Sequence, residues 1–319
     1  MAAGGQTSRF LFGDPARLAG FVLMLAFFVL GPFFIYPIFL MKVMCFALFA
    51  CAFNLLLGYV GLLSFGHAAF IGTAGYICGH VAKVWGWPPE LAIVAGVVVA
   101  AALGAVIGAL GVRRKGIDFA MITLALAQLV YFFDLQARFT GGEDGIQAVP
   151  RGHFLGLFDL AGMNAMYGVT LVLFVAAFLL IFRIVHSPFG QVLKAIRENE
   201  ARAVSLGYRV GQYKLVAFVL SAGLAGLAGA IKTIVFQLAS LTDVHWTMSG
   251  EVVLMTLVGG MGTIFGPVVG ALVIVAMQQY LAPLGSWVLV AQGGVFVVCV
   301  LLFRRGIVGE LGRVLRRSL

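Results

Sequence analysis

The sequence predicts an all-α integral membrane protein: a polytopic helical bundle of about ten spans, both termini cytoplasmic, with room for broken helices. Three observations carry this. Of 319 residues, 62% are hydrophobic and 10% charged, against about 25% charged in soluble domains. The apolar residues gather into runs close to the 20 or so needed to cross a bilayer. The basic residues fall mostly in gaps between alternate runs, as expected of short cytoplasmic loops.

Eight runs are clear, at 18–36, 38–57, 59–82, 91–112, 119–135, 166–184, 215–236 and 287–303. A further stretch, 251–281, is long for one helix and short for two, and Gly259, Gly260, Gly262, Gly266 and Pro267 interrupt it. Charge decides its reading. The basic clusters at 113–115, 183–214 and 304–319 share a side only if an even number of spans separates the last two, so 251–281 splits at its glycines. The tally then places 16 of the 21 Lys and Arg on the cytoplasmic side, Arg9 and Arg17 included. Lys42, Lys83, Arg138, Arg151 and Lys232 are the exceptions, and Lys232 is expected to snorkel from the outer end of its helix. The run beginning at Leu18 is too long for a cleaved signal and is read as a retained first span.

Several classes are excluded. Glycine supplies 42 residues but without a Gly-x-y period, and the apolar content rules out disorder. The net charge of +9 is spread over loops rather than gathered on a nucleic-acid-binding module. Cys45, Cys51, Cys78 and Cys299 lie in apolar stretches without metal or disulfide spacing. His67, His80, His153, His186 and His245 form no i,i+3 or i,i+4 pair, so no metal site of local spacing is expected. A near-miss to a nucleotide loop at 226–233 has Ile231 where glycine is required. No catalytic residue is assigned, and a membrane enzyme is the remotest possibility.

Small residues at four-residue spacing recur at Gly75 and Gly79, Gly104 and Gly108, Ala225 and Gly229, and Gly262, Gly266 and Gly270. They suit helices packed closely on one another. Helix centres hold neutral polar groups, and Asp118, Asp134, Asp243 and Glu251 sit near helix ends or loops. That pattern disfavours an ion-coupled secondary carrier or channel, which would place ionisable groups in mid-membrane. Asn54, Ser64, His67, Thr123, Gln128 and Thr256 are the candidate substrate-pathway residues.

Two glycine-rich interruptions stand out. The segment 58–76 mixes five glycines with Ser64 and His67, and can unwind to expose backbone dipoles or remain a packed helix with His67 satisfied locally. The segment 259–267 echoes it faintly, with Ile264–Phe265–Gly266 against Ser64–Phe65–Gly66. Between the two lies 187–207, where Ser187 can cap, Pro188 suits the first helical position and Gly207 can stop the helix. One helix of about five turns is expected there. Phe189, Val192, Leu193, Ile196 and Ala203 fall on one side, and Lys194, Arg197, Glu198 and Arg202 on the rest. Physics alone allows either a docking helix or one lying on lipid.

Four blocks, GYVGLLSFGHAAFIGTAGY at 58–76, TGGEDGI at 140–146, SPFGQVLKAIRENEARAVSLGY at 187–208 and LVGGMGTIFGPVVGA at 257–271, are specific in order and spacing. They resemble the LivM-type permease of bacterial branched-chain amino-acid ABC importers, over nearly the whole chain. The resemblance implies a transmembrane permease domain at 18–303, flanked by a cytoplasmic segment at 1–17 and a basic cytoplasmic tail at 304–319, in the bacterial inner membrane. It implies that 187–207 docks on an ATPase, with Glu200 and Ala201 matching the start of the family's coupling motif, Gly207 its glycine, and Glu198 and Asn199 its lead-in. Arg202 departs from the alanine usual in the general motif.

Partners implied are a second related permease, two ATP-binding subunits that hold ATP and Mg, and a periplasmic substrate-binding protein that the outer loop 136–164 could meet. No cofactor is expected in this chain. The lipid bilayer is its solvent and nucleic acid is not a partner. The expected cargo is a branched-chain amino acid, with urea, short amides or small carboxylates as alternatives within the family.

Overall fold

The computed structural model describes residues 15–154, 156, 158–285, 287–303 and 306–314. Of the predicted end segments, residues 1–14, 304–305 and 315–319 lie outside the described residues. The chain is helical: α1 (Pro15–Leu30), α2 (Pro37–Leu57), α3 (His67–Lys83), α4 (Pro89–Gly111), α5 (Gly116–Gln136), α6 (Met163–His186), α7 (Pro188–Glu198), α8 (Glu200–Ser205), α9 (Val210–Phe236), α10 (Trp246–Gly259), α11 (Gly266–Tyr280), α12 (Trp287–Leu302) and α13 (Gly306–Val314). Proline opens α2, α4 and α7, where its missing N–H costs nothing. Four two-residue strands, β1 (Ile146–Gln147), β2 (His153–Phe154), β3 (Phe158–Asp159) and β4 (Leu238–Ala239), pair antiparallel as β1 with β4 and β2 with β3.

Among the described residues, five helices, α2, α4, α5, α6 and α9, are long and apolar enough to cross a membrane. The shorter α3, α10 and α11 have 17, 14 and 15 residues. Each predicted apolar run contains a helix, and 251–281 does divide at its glycines, into α10 and α11. The run at 59–82 is helical only from His67, because residues 58–66 form turns and irregular backbone.

Helix α2 is the centre of the bundle: from Phe39 to Leu56 every residue except Lys42 is buried. A helix apolar all round belongs to a core. Against it packs α9, which also meets α3 and α4. Close approach there needs glycine: a Cβ on Gly104 would overlap Ala222, one on Gly226 would overlap Ala100, and one on Gly229 would overlap the Ile71 carbonyl. In lipid such approach gains dispersion contacts that leucine could not provide. Outward faces are apolar, as Val94, Val98, Val106 and Leu110 on α4 illustrate.

The bundle has two distinct ends. Near α7 lie the starts of α1 and α5, since Arg17 Nη1 is 3.0 Å from His186 Nε2 and Lys115 Nζ is 3.1 Å from Glu200 Oε2. At the opposite end Lys83 Nζ donates to the Gln147 carbonyl at 2.8 Å and Arg151 Nη2 to the Val235 carbonyl at 2.9 Å. All four tryptophans, Trp85, Trp87, Trp246 and Trp287, are exposed at that opposite end, as at a membrane interface.

Two expectations are corrected. Residues 187–207 form two helices, because Asn199 takes an extended conformation (φ −155°, ψ 99°) and its Oδ1 accepts from Arg202 N–H at 3.0 Å, capping α8 afresh. Lys232 turns inward rather than snorkelling, because the buried Asp243 carboxylate pairs with its ammonium and the Phe46 ring lies 5.5 Å away.

Gly229→Ala should lower stability by about 1–3 kcal/mol through overpacking, whereas Gly211→Ala, with open space around it, should not. Thermal unfolding midpoints of the two variants in detergent check this.

Candidate functional site

The joint between α7 and the two glycine-rich interruptions is a connected polar network at the α7 end. Helix α7 begins where the Ser187 hydroxyl accepts from Gly190 N–H at 3.3 Å. Leu193 and Ile196 face inward, buried, while Gln191, Ala195, Glu198, Ala201 and Arg202 are exposed on the outer side of α7 and α8. Gly207, at φ +85°, ends the element.

From the inner side of α7, the Arg197 guanidinium donates to the Gly58 carbonyl. Its aliphatic stem lies 3.2 Å from where a Cβ on Gly61 would sit, at a φ of +80° that favours glycine. Asn54, near the end of α2, joins the two interruptions directly. Its Nδ2 donates to the Thr263 carbonyl at 2.8 Å, and its Oδ1 accepts from Gly262 N–H at 2.9 Å. Thr263 in turn donates to the Gly260 carbonyl at 2.7 Å and accepts from Gly266 N–H at 3.1 Å, closing the 260–265 loop.

The first interruption then climbs into the bundle. Ser64 accepts from Gly66 N–H at 3.2 Å, and Thr123 on α5 accepts from Phe65 N–H at 3.2 Å while donating to the Ala120 carbonyl. At the start of α3, Ser249 on α10 accepts from Ala68 N–H at 2.9 Å, satisfying one of the donors a helix start leaves over. His67 is wholly buried among Phe53, Phe70 and Phe218. Its Nε2 is 2.9 Å from Ser221 Oγ, whose single proton goes to the Ala52 carbonyl at 2.6 Å. Nε2 therefore carries the imidazole proton, and Nδ1 is a bare acceptor without a partner.

Glu200 opens α8 and faces inward. Lys214 Nζ lies 3.0 Å from its Oε2 and Lys115 Nζ 3.1 Å, so the carboxylate ties α8 to α9 and to the α4–α5 turn. Burial pushes this carboxyl up, but hydrogen bonds and charge from Lys214 and Lys115 outweigh it and hold the group below its ordinary value.

The structure thus brings Asn54, Ser64, His67 and Thr123 onto the two interruptions, with their polar atoms committed to local partners except His67 Nδ1. Thr256 donates to the Val252 carbonyl at 2.8 Å, and its carbonyl accepts from Gly260 N–H at 3.0 Å. Gln128 is half-buried on α5 and stands apart from this network. Among the residues expected to couple to an ATPase, Glu198, Asn199, Ala201 and Gly207 are exposed, whereas Glu200 points inward. Arg197, Ser249 and Thr263 were missed, because a loop carbonyl or a distant helix start leaves no local pattern at the residue that satisfies it. Among the described residues, no three His, Cys, Asp or Glu side chains come together as a metal site would require.

The family described as "Branched-chain amino acid transport system / permease component" matches residues 35–303, from before α2 to the end of α12. The chain belongs to this permease family. It is similar to the high-affinity branched-chain amino acid transport system permease protein LivM of Escherichia coli (strain K12), 25% identical over 277 residues. That match covers 80% of this chain and 65% of the relative, so the chain spans just under two thirds of that protein's length. It is also 30% identical over 316 residues to the ribose import permease protein RbsC of Bacillus subtilis (strain 168), covering 89% of this chain and 90% of the relative. The autoinducer 2 import system permease protein LsrC of Salmonella choleraesuis (strain SC-B67) is 28% identical over 218 residues, 65% of this chain and 61% of its own. No solved structure matches.

Asn54→Ala should leave the Thr263 carbonyl and Gly262 N–H unpaired, costing about 1–3 kcal/mol, seen as a lowered unfolding midpoint. The Glu200 carboxyl is held down in the fold, so its contribution is present above pH 4.5 and lost as pH falls through its lowered value. Glu200→Gln should therefore speed amide exchange across residues 199–206 at pH 7, by an amount equivalent to less than about 1 kcal/mol, and the difference should shrink as pH falls below 4.5.

Proposed function

We propose that this chain is the membrane-spanning permease of an ABC importer for branched-chain amino acids, working by alternating access that separate ATPase subunits drive. It crosses the bacterial inner membrane ten times, with the α7 end and both termini cytoplasmic. The five helices too short to span unaided are completed by irregular segments or by tilt. Two ATP-binding subunits hold ATP and Mg, a second related permease completes the path, and a periplasmic binding protein delivers the solute to the outer loop 136–164.

One observation carries the proposal. The α7–α8 element shows an exposed outer face to a partner, while from its inner face Arg197 grips the Gly58 carbonyl of the loop that Asn54 joins to 260–265. Closure of the ATPases would move α7, and α7 would carry both interruptions with it. The inward-facing Glu200 holds the element in register, leaving Glu198, Ala201 and Arg202 as the docking surface. The relatives named for ribose and autoinducer 2 favour a second reading, in which the same machinery carries another small polar solute.

Affinity purification of the tagged chain from its native host, wild type beside Ala201→Arg, tests the assignment. The wild type should bring down a second permease and two ATPases, and the variant should retain the permease while losing at least tenfold of the ATPases. ATP-dependent uptake of radiolabelled leucine, with ribose in parallel, separates the two cargo readings. Isolation of the wild-type chain alone, active in liposomes without ATP, would instead identify a secondary carrier.

A further inference from the structure

The half of the bundle farther from α7 holds buried polar groups that neither the packing nor the joint uses. Segment 240–245, between β4 and α10, lies against α3 at Gly72, where Val244 fills the space a Cβ would need. The ion pair of its Asp243 with Lys232 on α9 fixes it there. Pairing of β4 with β1, Ile146 opposite Ala239 and Gln147 opposite Leu238, ties this segment to the loop that follows α5.

Beside it are Tyr76 on α3 and Asp134 on α5, each 1% exposed. The Tyr76 hydroxyl and Asp134 Oδ2 have no hydrogen-bond partner. Helix α3 packs against α5, and both pack against the turn at 241–243. Thr73, three residues before Tyr76 on α3, also has a buried hydroxyl without a hydrogen-bond partner. The backbone at Asp134 is held, because Thr140 Oγ1 donates to its carbonyl at 2.6 Å.

A buried carboxylate oxygen and a buried phenol left unpaired are costly to the resting fold. What they lack is a ligand with several donors and positive charge. An ammonium group offers three N–H donors, one each for the carboxylate and the two hydroxyl oxygens. A carboxylate ligand would meet repulsion from Asp134, and the nearby Lys232 is already committed to Asp243.

We propose that Asp134, Tyr76 and Thr73 form a binding site for the ammonium group of the transported solute, covered by segment 240–245. The proposal rests on the permease function above and names the part of the cargo this chain recognises. Through β1 and β4 the cover is joined to the outer loop, so a binding protein seated on that loop would be positioned to shift segment 240–245 and admit the solute.

The test uses the complete importer in liposomes, with its binding protein saturated by L-leucine, comparing wild type with Asp134→Asn and Tyr76→Phe. ATP-driven leucine uptake should fall at least tenfold in Asp134→Asn and several-fold in Tyr76→Phe. The thermal midpoint of Tyr76→Phe should hold or rise, since the substitution removes only an unpaired oxygen. Uptake at wild-type rates in both variants overturns the site while leaving the permease assignment standing. Loss of uptake matched by a lowered midpoint in Tyr76→Phe also overturns it, in favour of a structural role. A wild-type importer that moves no leucine under ATP overturns the branched-chain assignment and the site with it.

Discussion

Irregular backbone inside an apolar bundle is tolerated only where its polar groups find partners, and this constraint organises the structure. The chain is interrupted twice, at 58–66 and 260–265, and each interruption is closed by side chains that come largely from elsewhere. Asn54 serves both with one amide. Thr123 and Ser249 receive donors from Phe65 and Ala68, and Arg197 reaches in from α7 to the Gly58 carbonyl. Because these partners belong to α2, α5, α7 and α10, satisfying the backbone also links the bundle to the α7–α8 element.

Packing supports the same arrangement. Helix α2 is enclosed, so its end at Asn54 is a fixed point rather than a fraying terminus. Helices α3, α4 and α9 meet through glycine and alanine, which brings His67 against Ser221 and sets the start of α3 well inside the bundle. Short helices joined by glycine loops can shift as units against the long α9. A fold of this kind suits a path that opens and closes by small rigid-body movements.

Much of this was legible in the sequence and some was not, for physical reasons. Apolar runs fix where helices lie in lipid, so every run found one, and the break of 251–281 showed in its glycines. Ser187, Pro188 and Gly207 bounded the α7–α8 element correctly because capping is local chemistry. Asn199 divided that element because its side chain competes for the backbone, a choice that periodicity alone does not reveal. Lys232 was misplaced for the opposite reason. It sits near a helix end, where charge ordinarily meets water, but segment 240–245 folds back and Asp243 pairs with it. Arg197 looked like one more solvated cation on a polar face, and only the tertiary path of residues 58–61 gives it a partner.

The central claim is that movement of α7 reaches the two interruptions through Arg197 and Asn54 as one unit. The most direct measurement is a double-mutant cycle on solute moved per ATP hydrolysed by the assembled importer, using Arg197→Ala, Asn54→Ala and the pair. The account predicts that each single substitution lowers the ratio severalfold and that the pair is no worse than either alone, the non-additivity of residues acting together. An unchanged ratio in the singles, or fully additive losses in the pair, would contradict it.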